Sequence, residues 1–135
     1  MNRVTIALFI FAVIATCEGI YWDTIHLEIV NYLDPPSDVI IHCKSGDDDL
    51  GIHQLPRNGT FGFHFKPAVF TGTLFDCSFV WPLHIEWFDI YVHLRDECDH
   101  CTWRIKATGP CMYQDMTKQF DLCYPWNKKK KKLAS

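Results

Sequence analysis

The sequence lacks an apolar stretch long enough to cross a membrane. A spanning helix needs about 20 consecutive apolar residues, and the longest low-charge run is the twelve residues 4–15, VTIALFIFAVIA. This run follows one basic residue and leads into the small residues Ala15, Cys17 and Gly19, a pattern typical of a secretory signal peptide. We predict no transmembrane segment and a signal peptide over 1–19, cleaved after Cys17 or Gly19. A buried core helix is the alternative.

Signatures of common enzymes are also missing. The chain contains no glycine-rich phosphate loop, no GxSxG or HExxH motif and no protease-type Cys/His pattern. Among the seven histidines, His42 and His53 could suggest an acid and base pair, but neither is tied to a recognisable nucleophile. We predict structural or surface histidines, no enzymatic activity, and no cofactor or metal.

A basic surface is absent from most of the chain. From residue 20 onward there are 15 acidic and 12 basic residues, and five of the basic ones are the consecutive Lys128, Lys129, Lys130, Lys131 and Lys132. Because contacts to nucleic-acid phosphates need a basic face, we predict no nucleic-acid partner. The lysine run predicts a disordered, solvated tail over 127–135. Its functional alternative is attachment to an anionic cell-wall polymer or membrane surface.

Cysteine, by contrast, is plentiful. Removal of the signal peptide leaves six, which are Cys43, Cys77, Cys98, Cys101, Cys111 and Cys123. An even number in a short secreted chain predicts a disulfide framework rather than thiol chemistry. Six cysteines allow 15 pairings, among which the spacing alone does not choose.

Cys98 and Cys101 form a CxxC motif around an aspartate and a histidine. Redox sites use this spacing at the start of a helix, whereas here the motif lies between two predicted strands. A zinc site completed by Cys111 and Cys123 is a further alternative, although a second CxxC pair is missing. Structural disulfides are the interpretation that the secreted context favours.

Short segments of alternating polarity fill the rest of the chain. Apolar residues recur at every second position, as in half-buried strands, in five sets: Ile25, Leu27 and Ile29; Phe61, Phe63 and Phe65; Phe75, Cys77, Phe79 and Trp81; Phe88, Ile90, Val92 and Leu94; and Trp103, Ile105 and Ala107. Residues 39–41 form a further strand that is apolar on both faces. We expect the last strand to end at Gly109 and Pro110, since proline cannot complete a ladder of hydrogen bonds. Residues 113–120 are compatible with one short helical turn.

Six or more short strands, with turns about every ten residues, predict an all-β fold. The expected architecture is a small, disulfide-linked antiparallel β-sandwich or barrel, formed by a single domain over 20–126. No long helices alternate with the strands, so parallel α/β nucleotide-binding folds are not expected.

Several sequence elements resemble the plant self-incompatibility protein family, also called S-protein homologues. In chain order they are HCKSGDDDLGIHQL at 42–55, NGTFGFHF, TLFDCSFVW and FDIYVHLRDECDHCTWRIKATGPC at 88–111, within a similarity that spans roughly 25–113. Members of that family are small secreted plant proteins, so the resemblance implies a compact disulfide-linked β-sandwich. Its founder is a stigma-secreted ligand read by pollen. The resemblance therefore implies a secreted signalling ligand or binding module, read by a cell-surface protein receptor.

The resemblance also bears on the disulfides. The family cysteines are matched by Cys43, Cys77, Cys101 and Cys111. The lysine run, Cys98 and Cys123 depart from the family pattern. If the four matching cysteines pair among themselves, for example through a Cys43–Cys111 bond, then Cys98 and Cys123 pair with each other and close the C-terminal segment onto the sandwich.

Two loops are the candidate recognition elements. Asp47, Asp48 and Asp49 lack the spacing of an EF-hand, so calcium binding is not favoured. Their simplest interpretation is a solvated turn in which Asp side chains accept local backbone N–H groups, and the functional alternative is a partner-binding loop. We expect binding to depend chiefly on residues 45–52 and on the turn around Asn58, while the strand aromatics hold the scaffold.

Asn58 begins an N-glycosylation sequon, Asn-Gly-Thr, on a predicted tight turn. It is either glycosylated or part of an unmodified hairpin turn. Two function classes remain from the sequence. The favoured class is the secreted ligand, and the alternative is a secreted defence or thiol-active, enzyme-like protein that acts on a wall, a microbe or a disulfide substrate.

Overall fold

Alternation of apolar and polar residues produces strands throughout the computed structural model, which describes residues 23–68 and 72–128. The nine strands of these residues are β1 (Ile25–Asn31), β2 (Val39–Lys44), β3 (Asp49–Leu55), β4 (Thr60–Phe65), β5 (Leu74–Trp81), β6 (His84–Val92), β7 (His100–Lys106), β8 (Gly109–Gln114) and β9 (Gln119–Cys123). They form a five-stranded sheet in the order β4-β1-β7-β8-β9 and a four-stranded sheet in the order β3-β2-β5-β6. This arrangement confirms the predicted all-β fold. The predicted signal peptide, 1–19, and all but the first two residues of the predicted tail lie outside the described residues.

The hydrophobic core draws on both sheets. The inward positions of β1 and β5 are buried, as their alternation predicts, and Phe79 is fully buried between the sheets. Trp103 on β7 is also fully buried, and its ring meets Phe88 edge-on at 5.2 Å between ring centroids. The phenylalanines of β4 lie half-buried along the edge of this core. The predicted core strands are therefore confirmed for these segments, and no described residue belongs to a helix that could span a membrane.

The strand pairs are antiparallel with one exception. β1 and β7 are parallel, with His26 beside His100 and Ile29 beside Trp103. The chain forms β2 to β6 before it returns beside β1. Each of these strands reverses the direction of the one before it, so β1 and β7 begin at the same end of the sandwich. The expectation of a purely antiparallel sandwich is thus corrected at this pair.

A β-bulge changes which side chains of β6 face the core. The register with β5 shifts next to Phe75 and leaves Ile90 as the extra residue. After the bulge, Tyr91 turns inward and is 2% exposed, whereas Leu94 is 80% exposed. The prediction that Val92 and Leu94 belong to the core face is therefore wrong, because simple alternation does not continue through a bulge.

The chain does not leave the sheet at Gly109 and Pro110, as the sequence led us to expect. These residues begin β8, where Pro110 contributes its carbonyl oxygen to the Tyr124 N–H at 3.0 Å. Gly109 has a φ angle of 142°, and a Cβ atom there would collide with the carbonyl of Tyr124. Glycine is required at this close approach of two backbones. Ala107, predicted to continue the inward face of β7, is exposed in the turn before β8.

The helical turn considered for 113–120 is also absent. This segment contains the end of β8, a tight loop and the start of β9. The Lys118 N–H donates to the Gln114 carbonyl at 2.8 Å, which gives one isolated bond of helical spacing and no helix. Alternation in β9 is short and polar on one side, so its strand character was not visible as a periodic apolar run.

Disulfides join cysteines that are close neighbours in the folded chain. Cys43 pairs with Cys77 across β2 and β5, and Cys111 pairs with Cys123 across β8 and β9, each with 4.0 Å between Cα atoms. The third bond is local and joins the two cysteines of the CxxC motif. The conditional Cys98–Cys123 and Cys43–Cys111 bonds are therefore wrong. Cys43 and Cys111 lie in different sheets, and the strand register gives each a nearer partner.

Candidate functional site

Successive strands run in alternating directions, so the connecting loops collect at the two ends of the sandwich. These two ends differ in charge. One end carries residues 23–24 and the loops β2–β3, β4–β5, β6–β7 and β8–β9; we call it the acidic end. The other end carries the loops β1–β2, β3–β4, β5–β6 and β7–β8 and residues 124–128; we call it the tail end. The described carboxylates of the acidic end are Asp23, Asp47, Asp48, Asp96, Glu97, Asp99 and Asp115.

The β2–β3 loop is held by its serine rather than by its aspartates. The Ser45 hydroxyl accepts the N–H groups of Asp47 and Asp48 at 3.3 and 3.1 Å, and the Ser45 N–H donates to the Asp48 carbonyl at 2.8 Å. The side chains of Asp47 and Asp48 are therefore not needed to satisfy the turn, and both residues are exposed. They are available to a partner.

Asp49 differs from its two neighbours because it belongs to β3. Its carboxylate accepts the Gly51 N–H at 2.9 Å and lies 2.7 Å from Nε2 of His42. The Gly51 hydrogen bond, followed by the His42 contact, lowers the pKa of Asp49 below its ordinary value of 3.8. All three predicted loop aspartates are exposed, but only Asp49 has a carboxylate that supports the strand pair.

A depression at the acidic end was not foreseen from the sequence. This acidic cavity has a volume of about 360 Å³, and its apolar lining includes Ile25, Pro67 and Leu94. Four acidic residues also line it, namely Asp23, Asp96, Glu97 and Asp99. Its residues come from the start of β1, from the β4–β5 loop, and from β6 and the loop that follows it. Because these residues are far apart in the sequence, no local motif predicts the cavity.

Arg95 and Asp96 fix the wall of the acidic cavity. The Asp96 carboxylate is buried, accepts the Val92 N–H at 2.9 Å and pairs with the Arg95 guanidinium at 2.8 Å. The guanidinium also donates to the Asp89 carbonyl at 2.8 Å and lies 5.0 Å from the ring centroid of Phe88. Asp96 is thereby neutralised, which leaves the other carboxylates to determine the charge that the cavity presents.

Tyr91 places a phenol at the acidic cavity. The residue is 2% exposed and its ring meets Phe65 edge-on, with 4.8 Å between ring centroids. Burial raises the pKa of Tyr91 above its ordinary value of 10.0, and the nearby charges of Asp96 and Asp99 raise it further. The hydroxyl therefore stays neutral over the physiological range and can accept or donate a hydrogen bond.

The CxxC disulfide borders the same cavity through Cys98. Cys101 is buried at the second position of β7, so the motif leads into a strand rather than a helix. The intervening His100 stacks on His26, 5.0 Å away between ring centroids, on the outer face of the five-stranded sheet. The surroundings of this disulfide are thus unlike those of a helical redox motif.

The residues of the zinc alternative are not brought together. Cys111 and Cys123 are bonded to each other across β8 and β9, while Cys98 and Cys101 are bonded at the β6–β7 loop. Within residues 23–68 and 72–128, no three His, Cys, Asp or Glu side chains form a group that could hold a metal ion.

His42 and His53 do not form a pair. His42 contacts Asp49, whereas His53 lies 2.7 Å from the Leu50 carbonyl oxygen and stacks on Phe61 at 3.9 Å between ring centroids. The two imidazoles point to opposite faces of the four-stranded sheet, because His42 is paired in register with Ile52 rather than with His53.

Asn58 lies at the tail end, away from the aspartate loop. It is exposed, adopts a left-handed φ of 64°, and its N–H donates to the Asn31 carbonyl at 2.8 Å. The turn connects β3 in one sheet with β4 in the other, so the expected hairpin is corrected to a crossing between sheets. Asn58 and the aspartate loop are about 20 Å apart along the strands and do not form one surface.

Comparison with known proteins identifies close similarities over most of the chain. Residues 26–126 match the family model described as plant self-incompatibility protein S1. S-protein homolog 2 from Arabidopsis thaliana is 47% identical over 109 residues, which cover 76% of this chain and 68% of that protein. S-protein homolog 29 from the same plant is 38% identical over 128 residues, covering 92% and 94% of the two chains.

A solved structure has the same fold. It is described as an SPH (self-incompatibility protein homologue) protein, from a widespread family of small, highly stable, secreted plant proteins. The TM-score is 0.55 at 19% sequence identity, and the match covers 78% of this chain and 96% of that one.

Proposed function

Because the chain belongs to the plant self-incompatibility protein S1 family, we propose that it is a secreted ligand whose acidic end is bound by a cell-surface receptor. The observation that carries this proposal is the acidic cavity, which lies at the same end of the sandwich as the exposed aspartates of the β2–β3 loop. Rigid strands and local disulfides hold the loops of this end, as is common where a scaffold presents binding loops.

The acidic cavity has the chemistry of a site for a basic side chain. The apolar side chains that line the cavity can pack against the methylene groups of a lysine or arginine, while the exposed carboxylates bind the charged head group. Tyr91 adds a neutral hydroxyl. The preferred receptor segment is therefore a loop with a protruding basic residue, and complementary charge should accelerate its association.

Acidic surroundings disfavour the thiol-active alternative. A nucleophilic cysteine needs an electropositive environment that stabilises its thiolate, whereas Cys98 lies among the carboxylates of the acidic cavity. Secreted protein with no free thiol and no disulfide-exchange activity is the result we expect.

Secretion and glycosylation can be tested together on one sample. We expect material recovered from the medium of a plant expression host to begin near Glu18 or Ile20 and to carry a glycan on Asn58, whose exposed position suits modification. Intact-mass and peptide analysis measure both. Retention of residues 1–15 would contradict secretion through this signal, and an unmodified Asn58 peptide would contradict the glycan.

The receptor proposal predicts a specific loss of binding when the cavity charges are removed. The double variant Glu97→Gln, Asp99→Asn should fold normally and bind a plant plasma-membrane fraction at least about fivefold more weakly, because removal of exposed charges weakens electrostatic recognition at little cost in stability. Glu28→Gln, Asp121→Asn makes the same charge change on exposed positions outside the cavity and is the matched control.

The part of the binding that depends on Glu97 and Asp99 should be saturable and should disappear after the membranes are treated with protease. Equal binding by the two double variants would contradict the role of the acidic cavity. Cavity-dependent binding that survives protease treatment would contradict a protein receptor.

A further inference from the structure

An apolar groove crosses the outer face of the four-stranded sheet near the tail end. Ile40, Val80 and Ile85 are neighbours in register on β2, β5 and β6, and they line this groove of about 810 Å³ together with Trp87 and Leu83. Ile85 is 51% exposed, Trp87 is 39% exposed and Leu83 is fully exposed. The solvated face of an antiparallel sheet normally carries polar residues at such positions. The groove therefore marks a docking surface.

The apolar groove occupies the half of this face that is nearer the tail end. Towards the acidic end, the outward positions of the same strands are occupied by His42, Lys44 and Asp76. At the groove itself, the Asp38 carboxylate accepts a hydrogen bond from the Gln54 amide at 2.8 Å, and His84 stacks on Trp81. The polar groups at the border of the groove thus have partners within the protein.

The described C-terminal segment, residues 124–128, reaches the edge of the groove. Trp126 packs against Phe79 and donates from its indole N–H to the Ala107 carbonyl at 2.9 Å. The Asn127 N–H then donates to the Trp87 carbonyl at 2.9 Å. Trp87 lines the groove, so Asn127 lies at the edge of the groove, and the five lysines 128–132 follow it in the sequence.

We propose that the apolar groove and the lysine run together form a docking surface for an anionic lipid bilayer. Leu83, Ile85 and Trp87 would enter the interfacial region, and the lysines would bind the lipid head groups. A second copy of the chain fits the observations less well, since a symmetric contact would bring two runs of five lysines together. A soluble polyanion would engage the lysines without any use of the apolar side chains.

The orientation that follows is compatible with receptor binding. The acidic end lies at the opposite end of the strands from the groove, so the lipid contact would not cover it and the acidic end would stay accessible. The lipid-docking proposal nevertheless does not depend on the receptor, and each can fail separately.

Vesicle sedimentation with the mature full-length protein tests the proposal. Vesicles of 70% phosphatidylcholine and 30% phosphatidylserine should bind the protein, and pure phosphatidylcholine vesicles should bind it at least about tenfold more weakly, because the lysines recognise the anionic head groups. The variant Ile85→Ser, Trp87→Ser should lose about tenfold in affinity for the anionic vesicles, since little apolar area remains to enter the interface.

Ile52→Ser is the matched control, because Ile52 is 70% exposed on the same face but does not line the groove. It should bind like the wild type, and replacement of all five lysines by glutamine should abolish the preference for anionic lipid. Thermal denaturation checks that each variant is folded. The proposal is overturned if wild-type protein does not bind the anionic vesicles, or if Ile85→Ser, Trp87→Ser binds them as well as the wild type does. It is also overturned if sedimentation of the protein without vesicles shows a dimer that this variant dissociates.

Discussion

Individual carboxylates of the acidic end have different tasks although they are adjacent in the sequence. Asp49 accepts a backbone N–H and contacts His42, while Asp47 and Asp48 remain exposed because Ser45 satisfies their turn. Likewise, Asp96 is bound to Arg95, whereas the nearby Glu97 and Asp99 carry the exposed charge. Carboxylates that hold the structure and carboxylates that we propose for recognition are thus neighbours in the sequence.

The lowered pKa of Asp49 predicts a local pH dependence. A carboxyl group whose pKa is lower in the folded state stabilises that state above its unfolded pKa, near 3.8, and this contribution is lost as the pH falls through the folded pKa. We expect NMR titration of the Asp49 carboxyl to give a midpoint below 3.8. His42→Asn should raise this midpoint only in part, because the Gly51 N–H makes the larger contribution.

His84→Asn is the control for that titration, since His84 contacts Trp81 and not Asp49. It should leave the midpoint unchanged. A wild-type midpoint at or above 3.8 would contradict the hydrogen bonding described for the β2–β3 loop.

At the scale of strands and loops, the elements that could be predicted are those whose apolar residues alternate without interruption. β1 and β5 follow a period of two and bury the expected side chains. The bulge at Ile90 and the polar strand β9 interrupt or weaken this pattern, so neither could be recognised from periodicity. The acidic cavity was missed for a related reason, because its residues come from separate elements that only the fold brings together.

Disulfide pairing could not be predicted because it depends on register. Cys43 faces Cys77 only when β2 and β5 pair as they do here, and the sequence contains no signal for that register. The conditional pairing joined Cys98 to Cys123, whereas each observed bond lies within one sheet or one loop.

The three disulfides are expected to differ in their contribution to stability. The bonded cysteines are 34, 12 and 3 positions apart, and the chain-entropy model assigns such loops about 4, 3 and 2 kcal/mol. Replacement of both cysteines by alanine should therefore lower the free energy of unfolding most for Cys43–Cys77 and least for Cys98–Cys101. Chemical denaturation measures the order.

Loss of the Cys98–Cys101 bond should have a second effect. This bond borders the acidic cavity, so its removal should weaken binding to the plasma-membrane fraction more than its small effect on stability suggests. Removal of Cys111–Cys123, which lies on the outer face of the five-stranded sheet, is the control. If both changes reduced binding equally, the local bond would have no special role at the cavity.

As a whole, the molecule is polarised along its strands. Exposed carboxylates collect at one end, and an apolar groove lies near the other end, where five consecutive lysines follow Asn127 in the sequence. The predicted recognition turn around Asn58 belongs to the tail end, so it does not share a surface with the aspartate loop. The central claim is that the receptor reads the acidic end.

Carboxyl footprinting tests this claim most directly, because it labels aspartate and glutamate side chains in proportion to their exposure. The protein is labelled with a carbodiimide and an amine, free and bound to plasma membranes, and the peptides are analysed by mass spectrometry. We predict that binding protects Asp47, Asp48, Glu97 and Asp99, leaves Asp121 labelled as before, and that protease treatment of the membranes abolishes the protection. Unchanged labelling of the acidic end in protein bound to a protease-sensitive receptor would contradict the account.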